Sequence, residues 1–224
     1  MKALFVNGGP RKNWSTHKML ESAMKGATDA GAEAELVHLY DFAFKGCVSC
    51  FACKMKNSKT NGLCAVKDAL TPVLEKALEA DVLVIGSPLY LSNPTGMAKS
   101  FMERSIYPLL SYNPKIDEET GEMKLGIRAK NVPCAILYTL GNTKENTDKL
   151  HYPIILGEYA RFMEMVFGEC ETLCAYNTYQ FNDYSKYDVM AGVEERKTKQ
   201  RDEQFPKDLQ SAYELGKRLI EKAR

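Results

Sequence analysis

Ala3-Leu4-Phe5-Val6-Asn7-Gly8-Gly9-Pro10-Arg11-Lys12-Asn13-Trp14-Ser15-Thr16 runs a short apolar block into chain breakers and then into hydroxyl and amide side chains. A continuous apolar run this short reads as a strand buried on both faces. Beyond the breakers, Met19, Leu20, Ala23, Met24 and Ala27 recur at helical spacing. Ser15 or Thr16 is the expected cap of that helix and Gly31 its end. A buried strand, a tight glycine turn and an amphipathic helix make the opening unit of a parallel sheet with crossover helices.

The same alternation continues along the chain. Residues 35–40 read as a second strand. Residues 68–80 read as a helix, with Leu70, Val73, Leu74, Ala77 and Leu78 on one face and Pro72 tolerated in the first turn. Residues 82–85 form a third buried run that Gly86-Ser87-Pro88 is expected to break. Asn93-Pro94 then supplies a cap and a first-turn proline for a helix reaching about Tyr107. Residues 132–140 and 172–175 read as further strands, and 151–167 and 205–224 as helices. The expected fold is α/β, with a five-stranded parallel sheet between two helical layers, in one domain over residues 1–224. Residues 109–130 read as a hairpin-like insertion. Residues 177–201 are polar, tyrosine-rich and too long for an idle connection. Both stretches suit flaps over a site, contacts to another subunit or surface loops.

With 224 residues, 45% hydrophobic and 26% charged, the composition is that of a globular domain. A net charge of +1 gives no reason to expect nucleic acid or an anionic membrane as partner. No apolar run reaches the roughly 18 residues of a membrane span, and the N-terminal run is shorter than a signal peptide requires. The sequence therefore reads as a cytoplasmic protein.

The loop after the first strand matches neither G-x-x-x-x-G-K-[ST] nor G-x-G-x-x-G, so the nucleoside-triphosphatase and dinucleotide fingerprints both fail. It offers a glycine pair for close backbone approach, the positive end of a helix and a cation. That set suits a phosphate monoester, with Arg11 able to add a charge-assisted contact. An ordinary capped helix start would by itself account for Ser15 and Thr16.

Asn7-Gly8-Gly9-Pro10-Arg11 through Thr16 resembles the N-G-S-P-R-x-x-x-x-T phosphate loop of flavodoxin-like NAD(P)H-dependent FMN reductases. Ser87-Pro88-Leu89-Tyr90, followed by Gly96, Lys99, Phe101 and Arg104, is similar to that family's S-P-x-Y and G-x-x-K-x-F-x-x-R signature. The resemblance implies a flavodoxin-like fold, bound FMN and NAD(P)H as co-substrate. It places Gly9, Pro10, Arg11, Asn13, Ser15 and Thr16 at the FMN phosphate. It sets Ser87, Pro88, Leu89, Tyr90 and Asn93 along the isoalloxazine, with Thr139, Gly141 and Asn142 on the other side. This chain departs from the pattern where the family has serine, with glycine in its place, and at Trp14, where glycine is common.

Seven cysteines are present, and Cys47, Cys50 and Cys53 have the C-x2-C-x2-C spacing that lets thiolates converge on one inorganic cluster. The cysteine loop spans about residues 45–66, and Cys64 is the candidate fourth ligand. Iron–sulfur flavoproteins, relatives of the reductases, carry a compact motif of this kind holding a four-iron cluster; here the last gap is longer. A [4Fe–4S] cluster, a zinc ion and thiols without a special role all remain open. Cys134, Cys170 and Cys174 sit in apolar segments and read as core residues.

His17, His38 and His151 share no metal spacing and read as polar surface residues. Asp117-Glu118-Glu119 reads as a solvated turn, and Glu194-Glu195-Arg196-Lys197 as an exposed mixed-charge stretch. Tyr176, Tyr179, Tyr184 and Tyr187 suit loop packing or a cover over a neighbouring subunit's flavin. The function expected from the resemblance is transfer of a hydride from NAD(P)H to FMN and on to a quinone, free flavin, nitroaromatic compound or redox partner. No side chain is assigned as a catalytic acid or base. An iron–sulfur electron carrier working with ferredoxin, and a non-enzymatic redox-sensing flavin- or metal-binding module, are the alternatives. A homodimer or homotetramer is expected.

Overall fold

The computed structural model describes residues 1–116, 121, 123–127 and 130–224. Parallel strands β1 (Lys2–Asn7), β2 (Glu33–His38), β3 (Val82–Tyr90), β4 (Cys134–Thr139) and β5 (Cys170–Ala175) form the central sheet in the order β2-β1-β3-β4-β5. This is the doubly wound order in which the chain reverses direction between β1 and β3, leaving a crevice beyond their carboxyl ends. The second strand lies two residues earlier than expected, and a short 3-10 turn over Leu39–Asp41 takes its end.

Helices α1 (Ser15–Asp29), α2 (Thr71–Glu79), α3 (Gly96–Ile106), α4 (Lys144–Lys149), α5 (Tyr152–Phe167), α6 (Val193–Lys199) and α7 (Phe205–Ala223) complete the described regular structure, apart from short 3-10 turns, a π-helical turn and two small antiparallel pairings. Strand alternation divides the core in two. Leu4, Val6, Leu83, Ile85, Ile136 and Tyr138 face α2, α3 and α5. Phe5, Val82, Val84, Ala135 and Leu137 face α1 and α7.

Several local expectations are corrected. Gly86-Ser87-Pro88 does not end the third strand: β3 continues to Tyr90, paired with β4 up to Pro88↔Thr139. Pairing with β1 stops at Asn7↔Gly86, so Pro88 sits where one flank of β3 is free and a proline is tolerated. Asn93-Pro94 folds back antiparallel on Leu89 and Tyr90 instead of opening a helix. The cap of α3 is Thr95, whose hydroxyl oxygen accepts from the Ala98 N–H at 3.1 Å. Trp14, not Ser15 or Thr16, occupies the N-cap of α1 and makes no side-chain capping bond. Asp68 and Thr71 form a capping turn, so α2 starts three residues later than the periodicity suggested.

The insertion after α3 is a hairpin, with arms Leu110–Ile116 and Met123–Gly126. Asp117, Glu118 and Glu119 lie outside the described residues. Residues 177–201 are not simply a surface loop. They include α6, which runs through a π-helical turn over Gln200–Gln204 into α7. Pro206 lacks the N–H that an uninterrupted α-helix needs there, which explains the irregular turn just before it.

Helices α1 and α7 cross at backbone contact. A Cβ on Gly26 would lie 2.0 Å from the Tyr213 carbonyl oxygen, and one on Gly216 would lie 1.8 Å from the Ala23 carbonyl oxygen. Backbone cannot move aside by changing rotamer, so Gly216→Ala should destabilise the fold by about 3 kcal/mol. That corresponds to a Tm lower by about 6–12 °C in a chain of this size. Gly157→Ala on α5, where an added Cβ meets nothing within 4 Å, should leave Tm unchanged or raise it slightly. Paired thermal melts check both.

Candidate functional site

The turns that leave β1, β3 and β4 converge beyond the sheet on an open crevice. From the first turn come Gly9, Pro10, Arg11, Trp14, Ser15 and Thr16; from the second, Pro88, Leu89 and Tyr90; from the third, Thr139, Leu140 and Gly141. The fourth side, Thr178, Tyr179 and Gln180, belongs to the tyrosine-rich segment of the same chain.

Most of the residues expected at an FMN site therefore line one crevice. Asn13 instead faces an adjoining cavity. Ser87 lies beneath the turn, with its Oγ accepting from the Thr95 N–H at 3.0 Å. Asn93 accepts from the Tyr159 hydroxyl at 3.1 Å, and the Asn142 carbonyl accepts from the Asn177 N–H at 2.7 Å. No spacing in the sequence relates Thr178, Gln180 or Leu140 to the first loop, and Tyr179, expected in loop packing or over a neighbouring subunit's flavin, lines the crevice of its own chain.

The first turn is held from several directions. The Gly8 N–H donates to the Gly86 carbonyl at 2.7 Å, and the Gly8 carbonyl accepts from the Thr95 hydroxyl at 2.6 Å. A Cβ on residue 8 would stand 2.6 Å from the Ala98 Cβ. Helix α3 thus leaves no room for a side chain at this position. Thr16 and Thr139 share a hydroxyl–hydroxyl bond of 2.6 Å, which ties α1 to the end of β4. The N–H groups of Ser15, Thr16 and His17, in the first turn of α1, have no acceptor within their own helix.

The Arg11 guanidinium lies 3.8 Å from the Trp14 ring centre and donates to the Gln180 carbonyl at 2.7 Å. It bridges the first turn to the far wall. Tyr90 is half exposed, and the next residues, Leu91 and Ser92, both have positive φ, as a tight two-residue hairpin turn requires. Leu91 is 97% exposed in a conformation normally left to Gly, Asn or Asp, so this strained tip escaped detection in the sequence.

Two buried cations support the surrounding segments. Lys197 is 3% exposed, and its Nζ donates to the carbonyls of Gly141 at 2.9 Å and Thr178 at 3.0 Å. It is no part of an exposed charged stretch. Burial, with neighbouring Arg196 adding to it, pulls its pKa down to about 8. Arg104 is buried and donates to Asp68 and to the carbonyls of Lys45 and Val66, closing the cysteine loop at its base. Burial acts to raise the Asp68 pKa, but the Arg104 guanidinium together with backbone hydrogen bonds at Leu70 and Lys45 outweighs it and holds the carboxyl below its ordinary value.

Within that loop Cys47 and Cys50 are exposed, and Cys53 and Cys64 are half-buried. Burial raises the Cys53 thiol pKa, nearby Cys50 and Cys64 adding to it and Lys54 opposing it. Lys54 Nζ donates to the Tyr107 and Leu110 carbonyls, fastening the loop to the start of the hairpin. Among the described residues, no three His, Cys, Asp or Glu side chains are gathered to hold a metal ion. Cys134 and Cys170 are buried in the core, as expected, with Cys174 partly so.

His17 and His38 are not independent surface residues. Their rings stack at 5.1 Å behind the first turn. Asn7 Oδ1 accepts from the Gly9 N–H at 2.8 Å, so its Nδ2 donates to His38 Nδ1 at 3.0 Å, and His38 carries its proton on Nε2.

The NADPH-dependent FMN reductase family profile matches residues 1–119. An iron–sulfur flavoprotein from Archaeoglobus fulgidus is 42% identical over 105 residues, covering 47% of this chain and 49% of that protein. The chain spans about half the length of the curated relatives it matches. Among solved structures, the fold is similar to an NAD(P)H:quinone oxidoreductase from Methanothermobacter marburgensis, with a TM-score of 0.67, 17% identity and 98% of each chain covered. It is also similar to a flavodoxin from the domain Archaea, with a TM-score of 0.51, 17% identity and 100% and 99% of the two chains covered. The fold is thus flavodoxin-like.

Burial lowers the His38 pKa, His17 and Lys12 adding to the effect while Asp41 and Glu21 oppose it. The unfolded chain takes up this proton near the ordinary imidazole value of 6.5, and the folded chain only at lower pH. Between those values the unfolded state binds more protons, so stability falls as pH drops through the window. His38→Gln keeps an acceptor for Asn7 without a titrating group. Urea unfolding from about pH 7.5 to 5 should show a steeper loss below 6.5 in the wild type than in the variant. Equal slopes would refute the coupling.

Proposed function

The chain belongs to the NADPH-dependent FMN reductase family, and from that premise we propose that it is an FMN-dependent oxidoreductase using NAD(P)H as reductant. The observation that carries this reading is the convergence of the β1, β3 and β4 turns on one crevice that opens with an anion-ready helix start. The residues present fit the cofactor. Three unfilled N–H groups at α1 and the Arg11 guanidinium make a donor set for a phosphate monoester, and Gly8 and Gly9 let backbone approach it. FMN, when bound, accepts a hydride from a nicotinamide nucleotide and delivers electrons to an acceptor.

In this reading Gly9, Pro10, Arg11, Ser15 and Thr16 hold the phosphate, with Asn13 reaching it from the adjoining cavity. Pro88, Leu89 and Tyr90 border one side of the ring and Thr139, Gly141 and Asn142 the other, while Ser87 and Asn93 shape the turn beneath. Lys197 positions the Gly141 wall through its carbonyl. Thr178, Tyr179 and Gln180 narrow the opening in cis, a role the sequence had suggested for a neighbouring subunit. The protein's share is placement, electrostatics and exclusion of water, and the hydride transfer needs no side chain as general acid or base. The acceptor is a quinone, a free flavin, a nitroaromatic compound or a redox protein. The exposed Tyr90–Leu91 tip supports a homodimer or homotetramer as the working form.

A second reading, an iron–sulfur flavoprotein passing electrons to a protein partner, is favoured by the C-x2-C-x2-C spacing and by the 42% identical relative of that name. Among the described residues the thiols as folded are not gathered into a cluster site.

Titration with FMN should quench flavin fluorescence and raise Tm, and Arg11→Ala should weaken binding about tenfold, the loss of one charge-assisted contact. Saturating FMN without spectral or thermal change would overturn the first reading. Iron and acid-labile sulfide analysis of anaerobically prepared protein checks the second: four of each per chain are expected if it holds, and none would sink it.

A further inference from the structure

Behind the crevice, on the other side of Trp14 and Tyr179, lies a second cavity of about 460 Å3. The two share a wall made of Trp14, Ser15, Thr178 and Tyr179. The first cavity is assigned to FMN above, with Asn13 alone reaching it from the second; the rest of the second cavity has no assigned occupant. Its chemistry is distinctive. Lys18 and Arg201 are its charged lining residues, and no carboxylate lines it. Lys18 makes no ion pair among the described residues. Arg201 pairs with Asp202 at 2.7 Å and lies 4.7 Å from the Tyr179 ring centre. Trp14, Tyr179 and Phe205 supply aromatic surface, and Asn13, Asn182 and Gln200 supply amide donors and acceptors.

Two cations, one of them unpaired, in a lining without carboxylates favour an anion, and aromatic rings beside amides favour a flat heterocycle with hydrogen-bonding edges. A phosphorylated nucleoside has both parts. We propose that this cavity is a nucleotide subsite, with Lys18 and Arg201 on a phosphate and the Phe205 ring available to the base. The shared wall sets it against the proposed flavin crevice. Resting on the reading above, its occupant is then the adenosine phosphate end of the nicotinamide nucleotide, whose other end reaches the crevice past Tyr179. Part of this cavity is built by the π-helical turn Gln200–Gln204, which turns Gln200 and Arg201 toward α1.

The test uses the full chain loaded with FMN, after FMN binding has been measured separately by flavin fluorescence. Adenosine 2′,5′-bisphosphate and adenosine 5′-monophosphate are titrated in by calorimetry at two salt concentrations. Saturable binding that weakens with salt is expected, and about tenfold weaker binding in Lys18→Ala and in Arg201→Ala. Lys18→Ala should keep its FMN affinity within about twofold and raise KM for NADPH by a factor similar to its loss of adenosine phosphate affinity. Absence of saturable adenosine phosphate binding, or unchanged affinity in both variants, would overturn the proposal. Competition between FMN and the adenosine phosphates would also overturn it, by making the cavity part of the flavin site. If FMN fails to bind while the apo chain still takes up the adenosine phosphates through Lys18 and Arg201, the flavin reading falls and the nucleotide subsite stands. Trp14, the single tryptophan, lines both cavities and gives an independent fluorescence signal in the apo chain.

Discussion

The hydrogen bond from the Thr95 hydroxyl to the Gly8 carbonyl is the constraint on which the crevice depends. β1 is flanked by β2 and β3 along its length, so its direction is fixed before the chain leaves the sheet. At the exit, Gly8 donates to Gly86 and accepts from Thr95, and Gly9 donates to the Asn7 side chain. Thr95 also caps α3. One hydroxyl therefore sets both the path of the first turn and the start of the helix packed against it. A larger residue at position 8 would push the two apart, because Ala98 already occupies that space.

Around this rigid point the remaining walls are irregular backbone, whose carbonyls must find donors when they leave water. Two buried cations meet that need. Lys197 holds the β4 exit to residue 178, and Arg104 holds the two ends of the cysteine loop together. The arrangements differ in charge balance. Arg104 faces Asp68, whereas Lys197 is bonded to neutral carbonyls, which accounts for a depressed pKa in one and a raised one in the other. A planar guanidinium with several fixed donors suits the first task, and a compact ammonium suits the second.

The clustered histidines illustrate a coupling between the interior and the site. Through Asn7, the neutral form of His38 helps hold the Gly9 N–H orientation that the first turn requires. Charge at His38 would meet the stacked His17 ring and the Lys12 ammonium. The turn therefore depends on a proton balance located behind it, away from any ligand.

The order of strands and helices, the two-faced burial of the sheet and the glycine turn at its edge were legible in the sequence, because apolar periodicity and chain breakers act over a few neighbouring residues. The phosphate-loop and S-P-x-Y motifs were legible for the same reason, being contiguous. Tertiary structure alone decided the rest. Pro88 stays in a strand because β1 has already ended; Lys197 is buried because α6 packs over the β4 exit; His17 meets His38 because α1 lies beside β2. Thr178, Tyr179 and Gln180 reach the crevice from the far end of the sheet. Each of these depends on contacts between residues distant in the chain, and no local pattern encodes which distant partner will be there.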